Sequence, residues 1–416
     1  MLKEVRIVRG SDQSQGGDGI QPTRSEDSGG GVSLLRGQLL TELDSSAWSP
    51  LHRWHALLAS AIGSTFSTIV ITVGIVLLTF GSMFTAAGLE GVWSRAANPL
   101  LRVPFLQDWS LLFVILISLP LLVVFLVTDE TVLRESLCHV LRDGVLTIPE
   151  DRAHGLLSKW KTHFRWVNLI CQVGAMLIAV VCAWLTLRAN ASISSGSWVG
   201  AGGTWSKVTY LSSLFVLYVV ILFFAVRCVS GGLFLNSIVQ MGRVFMQPFH
   251  PDRCGGMRPI GQLGLRNQYV VTILGLNVVV LAAEILRVQA HDAAHLAIVL
   301  AGALVYLTLG PIVFLGPLLP FHGQMRRSKE DALLIVVQRL KAEYERVAAQ
   351  IREGAVTAGD IAVIERVRQW GKSVEELPVW PFDTRTLVRF ASAYVIPIGA
   401  AILEHESLLE EIGKLL

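Results

Sequence analysis

The chain has 416 residues, of which 52% are hydrophobic and only 16% charged, whereas a soluble domain carries about 25% charged residues. The apolar excess is gathered into long runs, which excludes an ordinary water-soluble protein and predicts an all-α polytopic membrane protein. The net charge of +3 matters less than where the basic residues fall, because their placement reports topology.

Residues 1–35 are rich in Gly, Ser, Asp and Gln and cannot bury enough apolar surface to offset the entropy of ordering, so they read as a disordered cytoplasmic tail. Residues 33–55, with Trp48 and Trp54, suit a short amphipathic helix at the membrane surface. The first apolar run begins near Ala56, and what precedes it lacks the pattern of a signal peptide. A transmembrane domain is expected over 36–324. Its spans are expected at about 64–87, 109–127, 167–187, 208–226, 269–286 and 295–319, each close to the roughly 20 residues a helix needs to cross a bilayer.

Basic residues set the orientation. With the N-terminus in the cytoplasm, Arg134, Arg142, Arg152, Lys159, Lys161 and Arg165 fall inside, as do Arg227, Arg243, Arg253, Arg258 and Arg266. The outside receives Arg95, Arg102, Arg188, Lys207 and Arg287. This asymmetry predicts six spans with both ends of the block in the cytoplasm, in a plasma membrane of the bacterial inner-membrane kind. The inner segment 129–166 carries an apolar stripe of Val132, Leu133, Leu137, Val140, Leu141 and Val145. The fourth span is expected to continue as a helix past Arg227 toward Arg243. The outer loop 189–206 is rich in Ser and Gly.

Residues 325–381 read as a cytoplasmic helical hairpin, with helices over 332–351 and 361–374 and Gly354 between them. With the inner connectors it makes a cytoplasmic helical layer. Residues 377–383, ending in Trp380-Pro381-Phe382-Asp383, form an extended corner at headgroup level. Residues 386–403 are apolar but interrupted by Arg389, Pro397 and Gly399. They are a candidate seventh span or re-entrant helix, followed by an acidic tail over 404–416. The five cysteines, Cys138, Cys171, Cys182, Cys228 and Cys254, all fall in spans or on the inner side, which argues against a disulfide framework.

The most chemically able stretch is 247–259, a polar turn of three prolines and two glycines. As a ligand site, His250, Asp252, Arg253 and Arg258 would receive an anion or lipid headgroup beside the glycine backbone. As a metal site, His250, Asp252 and Cys254 lack a fourth ligand. As a helix-terminating loop, Asp252 caps the next segment. Within the spans, Asn277 is either interhelical glue or a pore residue. Pro311 and Pro317 in the sixth span are hinge residues, exposed-carbonyl pore elements or static kinks, and Pro397 with Gly399 admits the same readings. Gln172 and a Glu284–Arg287 pair complete the polar set. Coupled transporters need ionisable groups near span centres, and none is legible there.

The expected function is an oligomeric ion channel or channel-like pore gated from the cytoplasmic side. The alternatives are a lipid- or anion-recognising protein or enzyme using the His250–Arg258 turn, and a secondary transporter. No cofactor, resident metal or nucleic-acid partner is expected. The expected partners are the bilayer, further copies of the chain, and an ion or small anion.

Overall fold

The computed structural model describes residues 50–404 apart from 95–96, 99–100, 102, 150–168, 182, 185–196, 249, 290–292 and 356. Among the described residues the chain is all-α apart from one small ribbon. Helix α1 (Pro50–Ile62) turns at Gly63 into α2 (Ser64–Leu89). Helix α3 (Trp109–Arg142) contains a π turn over Val114–Ser118, just ahead of Pro120. Strands β1 (Leu146–Thr147) and β2 (Arg243–Val244) pair antiparallel, Leu146 opposite Val244. Between them come α4 (Leu169–Val181), the short α5 (Trp198–Ala201) and the long α6 (Thr204–Met241). There follow α7 (Arg258–Gln289), α8 (Ala293–Leu315), α9 (Leu319–Arg352), α10 (Ala358–Glu375) and α11 (Thr384–Glu404).

Among the described residues, four helices are long and apolar enough to cross a membrane: α2, α3, α6 and the first part of α7. Helices α8 and α9 form a broken pair bent by 42°, and α4 is a shorter apolar helix. Along these helices large apolar side chains face outward. Leu77 and Leu78 on α2 are 65% and 68% exposed, and Ile170 and Leu177 on α4 are 66% and 65% exposed. Such surfaces belong in hydrocarbon, not water.

The helices share two ends. At the far end, the Glu90 carboxylate accepts from Gly203 N (2.7 Å) and Trp205 N (2.8 Å), capping the start of α6. Trp198 Nε1 donates to Asp108 Oδ2 at 3.0 Å, and the Trp198 ring sits edge-on to Phe105 and Tyr210. At the near end, the prolongations of α3 and α6 beyond their apolar runs meet the start of α7, the α8–α9 joint and the 380–382 corner. One buried cluster there includes Leu137, Val140, Phe234, Leu235, Ile260, Phe314 and Phe321, with Trp380 and Phe382 packed against it.

Direction follows from these anchors. Helices α3 and α6 start at the far end and run side by side to the near end. Helix α7 starts at the near end and runs against both. Helix α8 returns antiparallel to α7, with Tyr306 against Gly275 and Val278 against Gly302. Helix α11 runs parallel to α7, with Pro381 against Gly261 and Ala393 against Thr272. The exit of α3 and the entry to α5 therefore lie at opposite ends of the bundle, with α4 between them in sequence.

Candidate functional site

The polar turn before α7 is built around Asp252. Its Oδ1 accepts from Cys254 N and Gly256 N, both at 2.9 Å, and its Oδ2 accepts from Arg258 N at 3.1 Å. The carboxylate thus caps the N-terminus of α7, where unpaired N–H groups and the helix dipole favour negative charge. Burial works to raise its pKa, but these three donors and His250 hold it below the usual carboxylate range. His250 lies 2.8 Å from Asp252 through Nδ1 and 3.5 Å from Asp143 through Nε2, strapping the turn to the exit of α3. Arg253 is exposed in the left-handed region at φ 58°. Arg258 is half-buried and helps hold the nearby Asp383 carboxyl down, after that group's bonds to Thr386.

Gly256 has φ +90°, and a Cβ there would lie 2.2 Å from Val145 Cγ2, so only glycine closes this turn. Cys254 is fully buried, and burial followed by the Asp252 and Asp383 charges pushes its thiol to about 12. Such a thiol is a poor nucleophile. Among the described residues, no group of three or more His, Cys, Asp and Glu is placed to hold a metal ion.

A second polar centre lies between α3, α6 and α7. Glu130 on α3 pairs with Arg227 on α6, both buried. Asp129 pairs with Arg266 on α7 at 3.3 Å. The Arg266 guanidinium also donates to Phe125 O (2.7 Å) and Thr128 Oγ1 (2.6 Å), and sits 5.3 Å from the Phe125 ring centroid. Two carboxylates and two guanidiniums make this cluster formally neutral. That balance is what makes such burial tolerable.

Further along the same two helices, Ser118 Oγ donates to Asn277 Oδ1 at 2.5 Å. The sequence separation from Ser118 to Asp129 on α3 equals that from Arg266 to Asn277 on α7. Two polar rungs therefore join the antiparallel pair, and at about 1.5 Å of rise per residue they stand roughly 16 Å apart. Between the rungs lies a buried apolar block that includes Leu119, Leu122, Val123, Leu126 and Val270. The Asn277 Nδ2 group, and both polar atoms of the fully buried Gln268, lack protein partners.

The prolines of α8 and α11 explain a third feature. Pro311 has no N–H for Leu307 O, four residues back, and Pro397 has none for Ala393 O. Each freed carbonyl is taken by a neighbouring helix. Tyr394 Oη on α11 donates to Leu307 O, and Thr272 Oγ1 on α7 donates to Ala393 O at 3.0 Å. Tyr306 Oη adds a bond to Tyr394 O at 2.8 Å. Pro311 and Pro397 lie inside unbroken helices, while the 42° bend falls at residues 316–318, around Pro317. Adding a Cβ to Gly399 would meet nothing within 4 Å.

A file of rings runs through the same unit. His322 stacks on Trp380 at 4.0 Å, Trp380 on Phe382, Phe382 against Phe314, Phe314 on Phe390 at 4.2 Å, Phe390 on Tyr394, and Tyr394 on Tyr306. It links the α8–α9 joint to the middle of α11.

Of the residues singled out from the sequence, His250 and Asp252 come together, and Asn277 meets Ser118. Pro311 and Pro397 flank one helix contact. Arg253 is exposed, and the Glu284 and Arg287 side chains lie outside the described residues. Sequence reasoning missed the Asp129–Glu130–Arg227–Arg266 cluster, whose members border apolar runs and so pass for loop charges. No protein-family model, curated protein or solved structure matches the chain, so its function has to be read from this geometry.

Proposed function

We propose that the chain assembles into an oligomeric, channel-like membrane pore gated from the cytoplasmic side. Each copy contributes six spans (α2, α3, α4, α6, α7 and α8) and α11 as a seventh. The alternating directions of the helices support that count. The parallel register of α11 with α7 supports the seventh, because a bilayer that covers one covers most of the other. The weight of Arg142, Arg243, Arg253, Arg258 and Arg326 at the near end supports a cytoplasmic position for that layer, with the N-terminus on the same side of an inner membrane.

The observation that carries the reading is the uncovered face of α11. One face is locked onto α7 and α8 by the proline-freed carbonyls and stacked rings. The opposite face leaves Leu387, Val388, Arg389, Ala391, Ser392, Val395 and Ile396 exposed. A guanidinium and a hydroxyl among small and apolar residues are poorly matched to lipid. They match the wall or mouth of an aqueous axis shared by several copies. The buried apolar block between the two polar rungs favours a path between copies over one between α3 and α7.

The hairpin offers a second assembly surface. Leu334, Val337, Tyr344 and Ile351 recur at heptad spacing on an exposed face of α9. The bend at 316–318 joins that hairpin to the span α8 and is the element on which a cytoplasmic signal would act. A secondary transporter has less support, since Asp129 and Glu130 are both committed to arginines.

The test combines mass and access. Purified full-length protein is sized by light scattering and reconstituted in liposomes for ion flux. Ala391→Cys and Ser392→Cys are then exposed to a charged methanethiosulfonate reagent. A closed oligomer whose flux is blocked by modification is expected. A monodisperse monomer with no flux under varied ions and gating conditions refutes the proposal.

A further inference from the structure

Near the β1–β2 ribbon the end of α6 and the root of α9 line an open-sided cavity of about 590 Å³, within the size range of sites for small organic ligands. Its polar lining is one-sided in charge. Arg243 on β2 and Arg327 on α9 line it together with Gln240 and Gln324, and no carboxylate lines it among the described residues. Phe245, 52% exposed, supplies an apolar wall.

Three neighbouring basic side chains are already matched. Arg326 Nε bonds Glu330 at 2.9 Å. Lys329 Nζ donates to Glu375 O and Leu377 O (2.8 Å), closing the end of α10. His250 lies between Asp143 and Asp252. Among the described residues, no carboxylate lies within ion-pair distance of Arg243 or Arg327. The two arginines come from elements held together from behind, where Met246 N donates to Ser328 Oγ at 3.2 Å.

We infer that this cavity is a binding site for a phosphoryl-bearing anion, gripped by the Arg243 and Arg327 guanidiniums. Planar guanidinium forks match phosphoryl oxygens bidentately, and two of them without acids balance a doubly charged group. Gln240 and Gln324 supply further polar contacts, and Phe245 accommodates an organic portion. The ligand is either a soluble phosphate ester or a phospholipid headgroup at the near surface of the bundle. This inference stands independently of the pore, because it rests on a different surface and is read by binding alone.

The experiment uses the full chain in two arms. In detergent, pyrophosphate is titrated calorimetrically. In nanodiscs, phosphatidylcholine alone is compared with phosphatidylcholine containing phosphatidic acid, and retained lipid is counted by native mass spectrometry. Saturable binding of one anion per chain is expected in at least one arm, and which arm responds identifies the source. Arg243→Gln and Arg327→Gln should each weaken it about tenfold or more. Arg326→Gln, which removes the same charge from a residue outside the cavity lining, should leave it unchanged. All three side chains are exposed, and folding is checked by circular dichroism. No saturable binding in either arm, or equal weakening by Arg326→Gln, overturns the inference.

Discussion

Thr272→Val tests whether the kinked helices are held by their proline-freed carbonyls. In the native protein Ala393 O is buried, and Pro397 cannot donate to it. The Thr272 hydroxyl supplies the missing donor at 3.0 Å. Valine keeps the shape and removes the donor, stranding a carbonyl away from water. An unpartnered buried acceptor costs about 1–3 kcal/mol. Interhelical bonds in membranes average nearer 0.6 and reach about 1.7 kcal/mol, so a loss of about 1–2 kcal/mol is expected.

Pro397→Ala restores a backbone N–H directed at the same carbonyl. In that background Thr272→Val should cost less than about 0.5 kcal/mol, because the hydroxyl's other bond, to Gln268 O at 3.0 Å, lies within its own helix. The four proteins form a double-mutant cycle, read by denaturant titration in mixed micelles, with an expected coupling of about 1 kcal/mol. Additivity within about 0.3 kcal/mol would show that the proline and the threonine act separately, and the reasoning would fail.

Arg227→Met removes the guanidinium paired with the buried Glu130 carboxylate and should destabilise the fold by about 3–5 kcal/mol. The double variant Glu130→Met with Arg227→Met should recover most of that loss; a double variant no better than the single would contradict the pairing. Gly261→Ala places a Cβ 1.9 Å from Pro381 O, and no flexible side chain can yield there. The 380–382 corner should therefore lift from α7, lowering the melting temperature and shifting Trp380 emission, while Gly323→Ala, in open space, should do neither. Asp252→Ala should remove about 2 kcal/mol of helix capping near neutral pH. Because the folded Asp252 carboxyl titrates below its ordinary value of about 3.9, its contribution is complete above about pH 5. It is lost as pH falls through the folded value. An acid unfolding limb that is unchanged in the variant would argue against this assignment.

Composition made the all-α membrane class legible, because long apolar runs admit few other structures. The runs also located α2, α3, α6 and α7. What they could not show was pairing. The equal separation of Ser118 from Asp129 and of Arg266 from Asn277 is visible in the sequence only to a reader who already knows that α3 and α7 lie antiparallel. The same holds for Thr272 and Tyr394, which look like ordinary polar interruptions until Pro397 and Pro311 free the carbonyls they serve.

The missed charge cluster shows how a sound rule can hide a site. Arg227 and Arg266 each border an apolar run, and the expected orientation counts such residues as inner charges. That count treats them as solvated, whereas here Asp129 and Glu130 draw both arginines into the bundle. A sequence signal existed: two adjacent acids close one apolar run, and single arginines border two others at matching depth. Asp252 shows the converse, since a chemically able side chain in a Pro/Gly turn has all three of its backbone bonds committed to starting α7. Reactive residue types therefore marked the end of a helix, while the unremarked edge charges marked the point where three helices are joined. Any motion that opens the near end of the bundle has to break those two ion pairs or carry them as one body. The α8–α9 bend lies outside both pairs, with Leu318 packed on α7 at Gly264.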